Sequence, residues 1–140
     1  MGNEISYEEL LDFIRATRKR EDELSKERAA YAAETPVLLE GAVLDEEKSV
    51  RWNREEVARR NNSRKGKLAA YMAKINQCDK EVSEKIVAYI RSEFGFGETI
   101  ARIVFDEAYD AGHHAGAEEV ANYAHDYGLF AERILEAADA

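Results

Sequence analysis

This sequence of 140 residues has one cysteine, one proline, one tryptophan and no long apolar run. The lone Cys78 cannot form a disulfide within the chain, which excludes a disulfide-stabilised secreted scaffold. No apolar stretch approaches the roughly 18 residues that a membrane-spanning helix needs. The acidic start, with Glu4, Glu8 and Glu9, also differs from the positively charged start of a signal peptide. We therefore expect a soluble, cytoplasmic protein that makes no membrane contact.

Large apolar residues are scarce as well. The chain has 9 Leu, 8 Ile, 8 Val and 5 Phe, about a fifth of its length, close to the limit below which highly charged chains stay disordered. It also has 22 alanines, the residue with the highest helix propensity, and no segment with the two-residue period of a strand. The composition predicts a single all-α domain, residues 1–140, with a thin core.

The first half of the sequence, residues 6–78, predicts a long antiparallel helical hairpin. Ser6 and Glu9 have the spacing of a capping box, and nothing interrupts a first helix from there to about Ala33. A second helix is expected from Pro36, because proline loses no hydrogen bond at the first helical position.

The run 61–66 within the second helix has poor helix propensity, and Asn61 and Arg64 fall on the apolar side of that helix. This run predicts either an interruption of the helix or a polar window in its apolar stripe. A charged group on such a stripe must find a partner, because burying it unpaired is very costly.

The second half, residues 79–140, predicts a smaller, acidic two-helix unit. Asp79 suits the N-cap of a helix that ends before Gly95, since glycine adopts the left-handed C-cap conformation without steric penalty. A last helix is expected from about Gly97 to Tyr127 or beyond. The predicted fold is thus all-α, a long hairpin followed by two further helices.

Charge is distributed in three blocks. Residues 1–47 have 6 basic and 13 acidic groups, residues 48–78 have 9 and 2, and residues 79–140 have 5 and 14. A basic helix therefore lies between acidic segments. Three interpretations remain open: complementary pairing within the chain or between subunits, a binding site for an anion, or a solvated face.

The basic helix supplies the candidate binding site. Arginine offers a planar fork for phosphate, asparagine can bind a base edge or ribose, and an indole can stack on a base. The candidate ligand- or partner-binding residues are Trp52, Arg54, Arg59, Arg60, Asn61, Arg64 and Lys67. Duplex nucleic acid is an unsuitable partner, because the surrounding acidic protein would repel a polyanion. A small phosphorylated ligand such as a nucleotide, or an acidic protein segment, suits the helix better.

Two glycines one turn apart predict a close helix contact. Glycine inside a helix costs about 1 kcal/mol relative to alanine, so Gly112 and Gly116 call for a reason such as close packing within the chain or against a second copy. Tyr109, Tyr123 and Tyr127 share their stripe. These five residues form the predicted oligomer interface, most simply of a homodimer.

The C-terminal histidines suggest metal chemistry, but their placement argues against it. Asp110, His114 and Glu118 align at a spacing of four residues, and His125 follows on the same line, as helical metal ligands would. That line lies opposite the apolar stripe and therefore faces solvent. We expect no metal, no cofactor and no catalytic residue.

These features lead to three hypotheses for function. The first is a non-enzymatic, self-associating helical interaction protein, coiled-coil-like, that binds and blocks a partner; short, acidic, alanine-rich proteins of this kind are frequent among viral accessory proteins. The second is a protein that sequesters a small phosphorylated ligand on the basic helix. The third is a metal-dependent hydrolase.

Overall fold

Four α-helices make up most of the chain. The structure is a computed structural model that describes residues 4–139, and its helices are α1 (Tyr7–Glu34), α2 (Val50–Phe94), α3 (Glu98–Gly112) and α4 (Ala117–Asp139). No strand occurs within residues 4–139. The all-α fold class is therefore confirmed.

Helix α1 begins where the sequence predicts. The backbone N–H of Glu9 donates to Oγ of Ser6 at 3.1 Å, which is half of the predicted capping box and satisfies one of the free amides of the first turn. At the other end, the Thr35 N–H donates to the Tyr31 carbonyl at 2.9 Å.

The segment 35–49, which we call the strap, is not helical, so the predicted start of a helix at Pro36 is wrong. Side chains of α2 hydrogen-bond its backbone groups, as described below, and thereby replace the bonds that a helix would supply. Gly41, with φ of +85°, makes a turn that few other residues can adopt.

Helix α2 spans 45 residues without a break. It begins after Ser49, whose Oγ accepts the Trp52 N–H at 3.0 Å as an N-cap does. The run 61–66 is thus a polar window within a continuous helix. The predicted cap at Asp79 is wrong, because this residue lies inside α2, whereas the predicted stop at Gly95 is confirmed by its φ of +70°.

The predicted last helix is in fact two helices. Helix α3 ends at Gly112 and α4 begins at Ala117. Gly116 has φ of +110°, a left-handed conformation that reverses the chain between them. Gly112 is therefore the last residue of α3 and Gly116 lies in the turn before α4, so no single helix contains both glycines.

The chain divides into two compact units. Unit 1 comprises the residues up to Lys19 and those from Cys78 onward, and unit 2 comprises Arg20–Gln77. The core cluster of unit 1 consists of Leu10, Ile14, Val82, Ile86, Val87, Tyr89, Ile90, Phe96, Ala101, Val104, Phe105, Ala108, Val120, Ala121 and Ala124. In unit 2, only Asn53 and Val57 are buried, so its apolar core is very small.

Candidate functional site

Asn53 is the centre of the strap's attachment to α2. It is only 5% exposed, and its Oδ1 accepts the N–H groups of Leu44 at 2.7 Å and Asp45 at 2.9 Å. Its amide nitrogen donates to the carbonyls of Asp45 at 3.0 Å and Ser49 at 2.9 Å. One side chain thus binds backbone groups at Leu44 and Asp45 and also at Ser49, directly before α2 begins.

Asn61 and Arg64 repeat this arrangement further along α2. The Asn61 amide pairs with both backbone groups of Leu38, accepting its N–H at 2.9 Å and donating to its carbonyl at 3.0 Å. Arg64 donates to the Thr35 carbonyl through Nε and to the Ala32 carbonyl through Nη2 at 3.3 Å. Because these carbonyls are at the C-terminal end of α1, the guanidinium also lies at the negative end of that helix dipole.

The polar window of α2 therefore binds the chain's own backbone. The sequence requires a partner for Asn61 and Arg64, and that partner is the strap and the end of α1. Both residues hold the strap along α2.

The strap exposes apolar side chains on its outer side. Leu39 is 80% exposed, Val43 is 65% exposed and Val37 is 59% exposed, whereas Leu38 and Leu44 are half-buried. Contiguous exposed apolar surface is a mark of interaction sites. We call Val37, Leu39 and Val43 the strap residues.

A groove with a volume of about 490 Å³ lies beside the strap in unit 2. Its charged lining consists of Arg28, Arg64 and Lys65, and its large apolar lining consists of Val37, Leu68 and Met72. Nε of Arg28 is buried and has no hydrogen-bond partner in the part of the chain that the structure describes. We call this the basic groove.

The predicted binding residues do not form one site. Trp52 and Lys67 are fifteen residues apart on α2, a distance of about 22 Å along a helix. Nζ of Lys48 lies 5.8 Å from the centroid of the Trp52 ring, and Nζ of Lys67 lies 5.2 Å from the centroid of the Tyr31 ring. Only Asn61 and Arg64 of the predicted set line the basic groove.

Arg59 and Arg60 are paired within their own helix. Both guanidinium groups donate to the Glu56 carboxylate, Arg59 through Nε and Nη2 and Arg60 through Nε at 3.0 Å. The hydrogen bonds from Arg59, and then those from Arg60, lower the pKa of Glu56 to about 2. Arg54 is exposed and makes no ion pair with residues 4–139.

The predicted interface glycine Gly112 serves packing within unit 1. It is buried, and a Cβ there would lie 2.9 Å from the Tyr123 ring. Tyr109 is instead 48% exposed and stacks on His113 with ring centroids 4.9 Å apart. Tyr123 and Tyr127 are half-buried, with centroids 5.7 Å apart.

A second close approach, at Gly128, was missed by the sequence reasoning. A Cβ on Gly128 would lie 2.0 Å from an atom of the Phe94 ring. The sequence feature that could have indicated this contact is the glycine itself, which stands within a helix that is otherwise rich in alanine.

The candidate metal residues are dispersed. Asp110 lies on α3 and Glu118 lies on α4, where Arg15 pairs with it. His125 does not face solvent as predicted, because Nδ1 of its half-buried ring lies 2.7 Å from the Tyr89 hydroxyl. Within residues 4–139, no group of three His, Cys, Asp or Glu side chains is placed to hold a metal ion.

Tyr89 and its neighbours form an aromatic cluster around His125. The rings of Tyr7, Tyr89 and Phe94 all lie within 6.2 Å of the imidazole, centroid to centroid. Burial, followed by the charge of Glu93, raises the pKa of Tyr89 to about 12. Burial likewise raises the pKa of Tyr7. This cluster joins α1, α2 and α4 within unit 1.

The described helices include none that combines the length and the apolar character needed to cross a membrane. Neither a protein-family model nor a curated protein nor a solved structure matches this chain.

Proposed function

We propose that this chain is a non-enzymatic, self-associating helical interaction protein that binds a protein partner and blocks it. In this proposal α1 and α2 form an antiparallel hairpin, and the active form is a homodimer or a higher homo-oligomer. The surface that we assign to binding consists of the strap residues.

The fixed exposure of the strap residues is the observation that carries this proposal. Asn53, Asn61 and Arg64 hold the strap backbone, while Leu39 and Val43 stay mostly exposed. A surface that is already ordered loses little conformational entropy on binding, so more of its contact energy contributes to affinity.

The small buried core of unit 2 supports the same proposal. With Val57 as its only buried apolar residue, it has much less core than domains normally require. Apolar surface that one copy leaves exposed can be covered by a second copy or by a partner.

Light scattering over a tenfold range of concentration tests the self-association. We expect a mass above the 15.9 kDa of one chain, and we expect Leu39→Ser with Val43→Ser to lower it. Ile103→Ser is the matched control, since Ile103 is a 58% exposed apolar residue of α3, outside the strap. A constant monomer mass for the unmodified chain contradicts the proposal.

Partner binding is tested by comparative capture from the cell in which the protein occurs. The unmodified chain, the strap double variant and the Ile103→Ser control are used as baits. We expect a protein that is retained by the unmodified chain and by the Ile103→Ser control but not by the strap double variant. Its activity should fall when the unmodified chain is added and should be unaffected by the double variant.

A second candidate function is sequestration of a small phosphorylated ligand, such as a nucleotide, in the basic groove. The buried, unpartnered Nε of Arg28 favours it, because such a donor lacks a hydrogen bond that an anion can supply. Thermal melting against a panel of nucleotides tests it, since a ligand at 100 times its Kd stabilises by about 2.7 kcal/mol. Lys65→Ala should abolish the shift, and Lys74→Ala should preserve it.

A further inference from the structure

We propose that helix α4 pairs with α4 of a second copy of this chain, antiparallel and across a two-fold axis near residues 129 and 130. The contact surface, which we call the α4 face, consists of Asp126, Leu129, Phe130 and Arg133. This inference rests on the proposed self-association and adds a second contact between copies to the one assigned to the strap residues.

The α4 face presents charge and apolar surface on one side of the helix. Asp126 and Arg133 are seven residues apart, which places them within about 20° of each other around a helix. Leu129 and Phe130 lie between them along the chain, one on each side of the line that joins them. Phe130 is 64% exposed and Leu129 is 38% exposed. Asp126 and Arg133 are exposed as well and make no ion pair within residues 4–139.

The side of α4 that packs within its own unit is roughly opposite to this face. It buries Ala121, Ala124 and Gly128, each about 140° or more around the helix from Asp126. Helix α4 is therefore held within unit 1 without help from a second copy. Because its backbone is already ordered, the α4 face loses little conformational entropy on association.

The order of the four residues selects a second copy as the occupant. Along α4 the face runs from an acid through two apolar groups to a base. A second α4 in the opposite direction runs from a base to an acid, so each Asp126 faces the Arg133 of the other copy. A parallel copy in the same register would bring like charges together, which is unfavourable. The face is thus complementary to itself, as a two-fold contact between identical chains requires.

The net charge of the chain makes reversal of Asp126 a discriminating test. The chain has a net charge of −9, so copies repel one another overall, and Asp126→Arg reduces that repulsion. In the proposed pairing, the same substitution places two arginines against each other at both ends of the contact. We expect it to raise the dissociation constant about tenfold or more, although the general electrostatic effect has the opposite sign. Arg133→Asp should raise the dissociation constant as well.

Sedimentation velocity of the full chain measures these dissociation constants. The α4 variants are made in the strap double variant, Leu39→Ser with Val43→Ser, so that the α4 contact alone joins the copies. We expect this background to be a dimer. Phe130→Ser should weaken the dimer without lowering the melting temperature of the monomer, because the Phe130 ring is mostly exposed. Ile103→Ser, on the exposed side of α3, is the matched control and should leave the dimer unchanged.

Exchange of the two charges should restore the contact. With Asp126→Arg and Arg133→Asp in the same chain, every acid again faces a base, so the dissociation constant should return close to the background value. An equimolar mixture of the two single variants should also form dimers, because one chain then has both bases and the other has both acids. Asp139→Arg makes the same charge change about 140° around α4 from Asp126 and should not raise the dissociation constant.

Disulfide formation reports the direction of the pairing. Leu129→Cys should give a covalent dimer on oxidation, because the two copies of residue 129 lie beside the axis and a disulfide needs Cα atoms about 4–7 Å apart. Ala137→Cys should not, since antiparallel pairing separates the two copies of residue 137 by about 22 Å along the helix axis. The unmodified chain, with its buried Cys78, supplies the background for both.

The outcomes that overturn the inference differ in what else they overturn. If the strap double variant is monomeric while the unmodified chain associates, the α4 face is not a contact and the assignment of the strap still stands. If the double variant dimerises but Asp126→Arg does not weaken the dimer, the copies meet elsewhere. If the charge exchange fails to restore the dimer, or Ala137→Cys cross-links as readily as Leu129→Cys, the antiparallel pairing is wrong. A chain that is monomeric throughout overturns the proposed self-association as well.

Discussion

Asn53 satisfies more of the strap's backbone than any other side chain of α2. Replacing it with alanine leaves the Leu44 and Asp45 amides without partners, whereas the Asp45 and Ser49 carbonyls still accept the backbone N–H groups of Lys48 and residue 53. Because each unsatisfied buried polar group costs about 1–3 kcal/mol, we expect Asn53→Ala to lower the free energy of unfolding by about 2–3 kcal/mol. Urea denaturation followed by circular dichroism measures this change.

A nearby asparagine of α2, Asn62, supplies the control for that experiment. Asn62 is exposed and makes no hydrogen bond to the described residues, so Asn62→Ala should change the free energy of unfolding by no more than about 0.5 kcal/mol. Hydrogen exchange should show faster exchange of the Leu44 and Asp45 amides in Asn53→Ala alone. Equal protection in both variants would show that the strap does not depend on Asn53.

Tyr89 links stability to alkaline pH. Its pKa is raised from 10.0 to about 12 in the folded chain, so the unfolded chain releases this proton first. The contribution is complete below pH 10 and is lost as the pH rises toward 12, at up to about 1.4 kcal/mol per pH unit. We expect the free energy of unfolding to fall over this interval in the unmodified chain, and Tyr89→Phe to lack that part of the slope. Identical pH dependence in the two proteins would contradict the assignment.

At the scale of elements, two helical glycines have opposite roles. Gly66 lies in α2 with open space within 4 Å of the position that a Cβ would occupy, whereas a Cβ on Gly128 of α4 would meet the Phe94 ring at 2.0 Å. Gly66→Ala should raise the free energy of unfolding by about 0.5–1 kcal/mol, the difference in helix propensity. Gly128→Ala should lower it by about 1–3 kcal/mol, because overpacking exceeds that gain.

Thermal and urea unfolding of the two variants, side by side, measure these changes. The comparison is controlled internally, since both substitutions add the same methyl group to a helix. Stabilisation by Gly128→Ala would show that Phe94 moves away without cost.

Helix boundaries set by local chemistry were predictable from the sequence. The start of α1 depends on the Ser6 hydroxyl and the Glu9 amide three residues later, and the end of α2 depends on the left-handed Gly95. Both signals lie within a few residues of the boundary that they define. The start of a helix at Pro36 failed, because the strap's hydrogen bonds come from Asn53 and other residues distant in sequence.

The candidate site was predictable only in part, for the same reason. The position of Asn61 and Arg64 on an apolar stripe correctly indicated that they need partners. Which partners they have depends on the path of the strap, and the sequence predicted a helix there. Lys65 and Arg28 come together in one groove although 37 positions separate them, and no local pattern connects such residues.

At the scale of the whole molecule, the two units differ in how their helices are stabilised. Unit 1 has a core of buried aliphatic, aromatic and alanine side chains. Unit 2 has one buried apolar residue, Val57, and depends on hydrogen bonds from α2 to the strap. Because local stability follows buried apolar contact, α1 and α2 should each be more stable in their unit 1 part than in their unit 2 part.

Hydrogen exchange at two protein concentrations tests this difference together with the role of association. At low concentration we expect the amides of residues 57–75 to exchange faster than those of residues 82–90, although both stretches belong to α2. At high concentration, binding to a second copy stabilises the folded form of the surface it covers. Protection should then rise in residues 57–75, while residues 82–90 change little. Uniform exchange along α2 at both concentrations would mean that unit 2 is stable without a second copy. Self-association would then not explain why the strap residues are exposed.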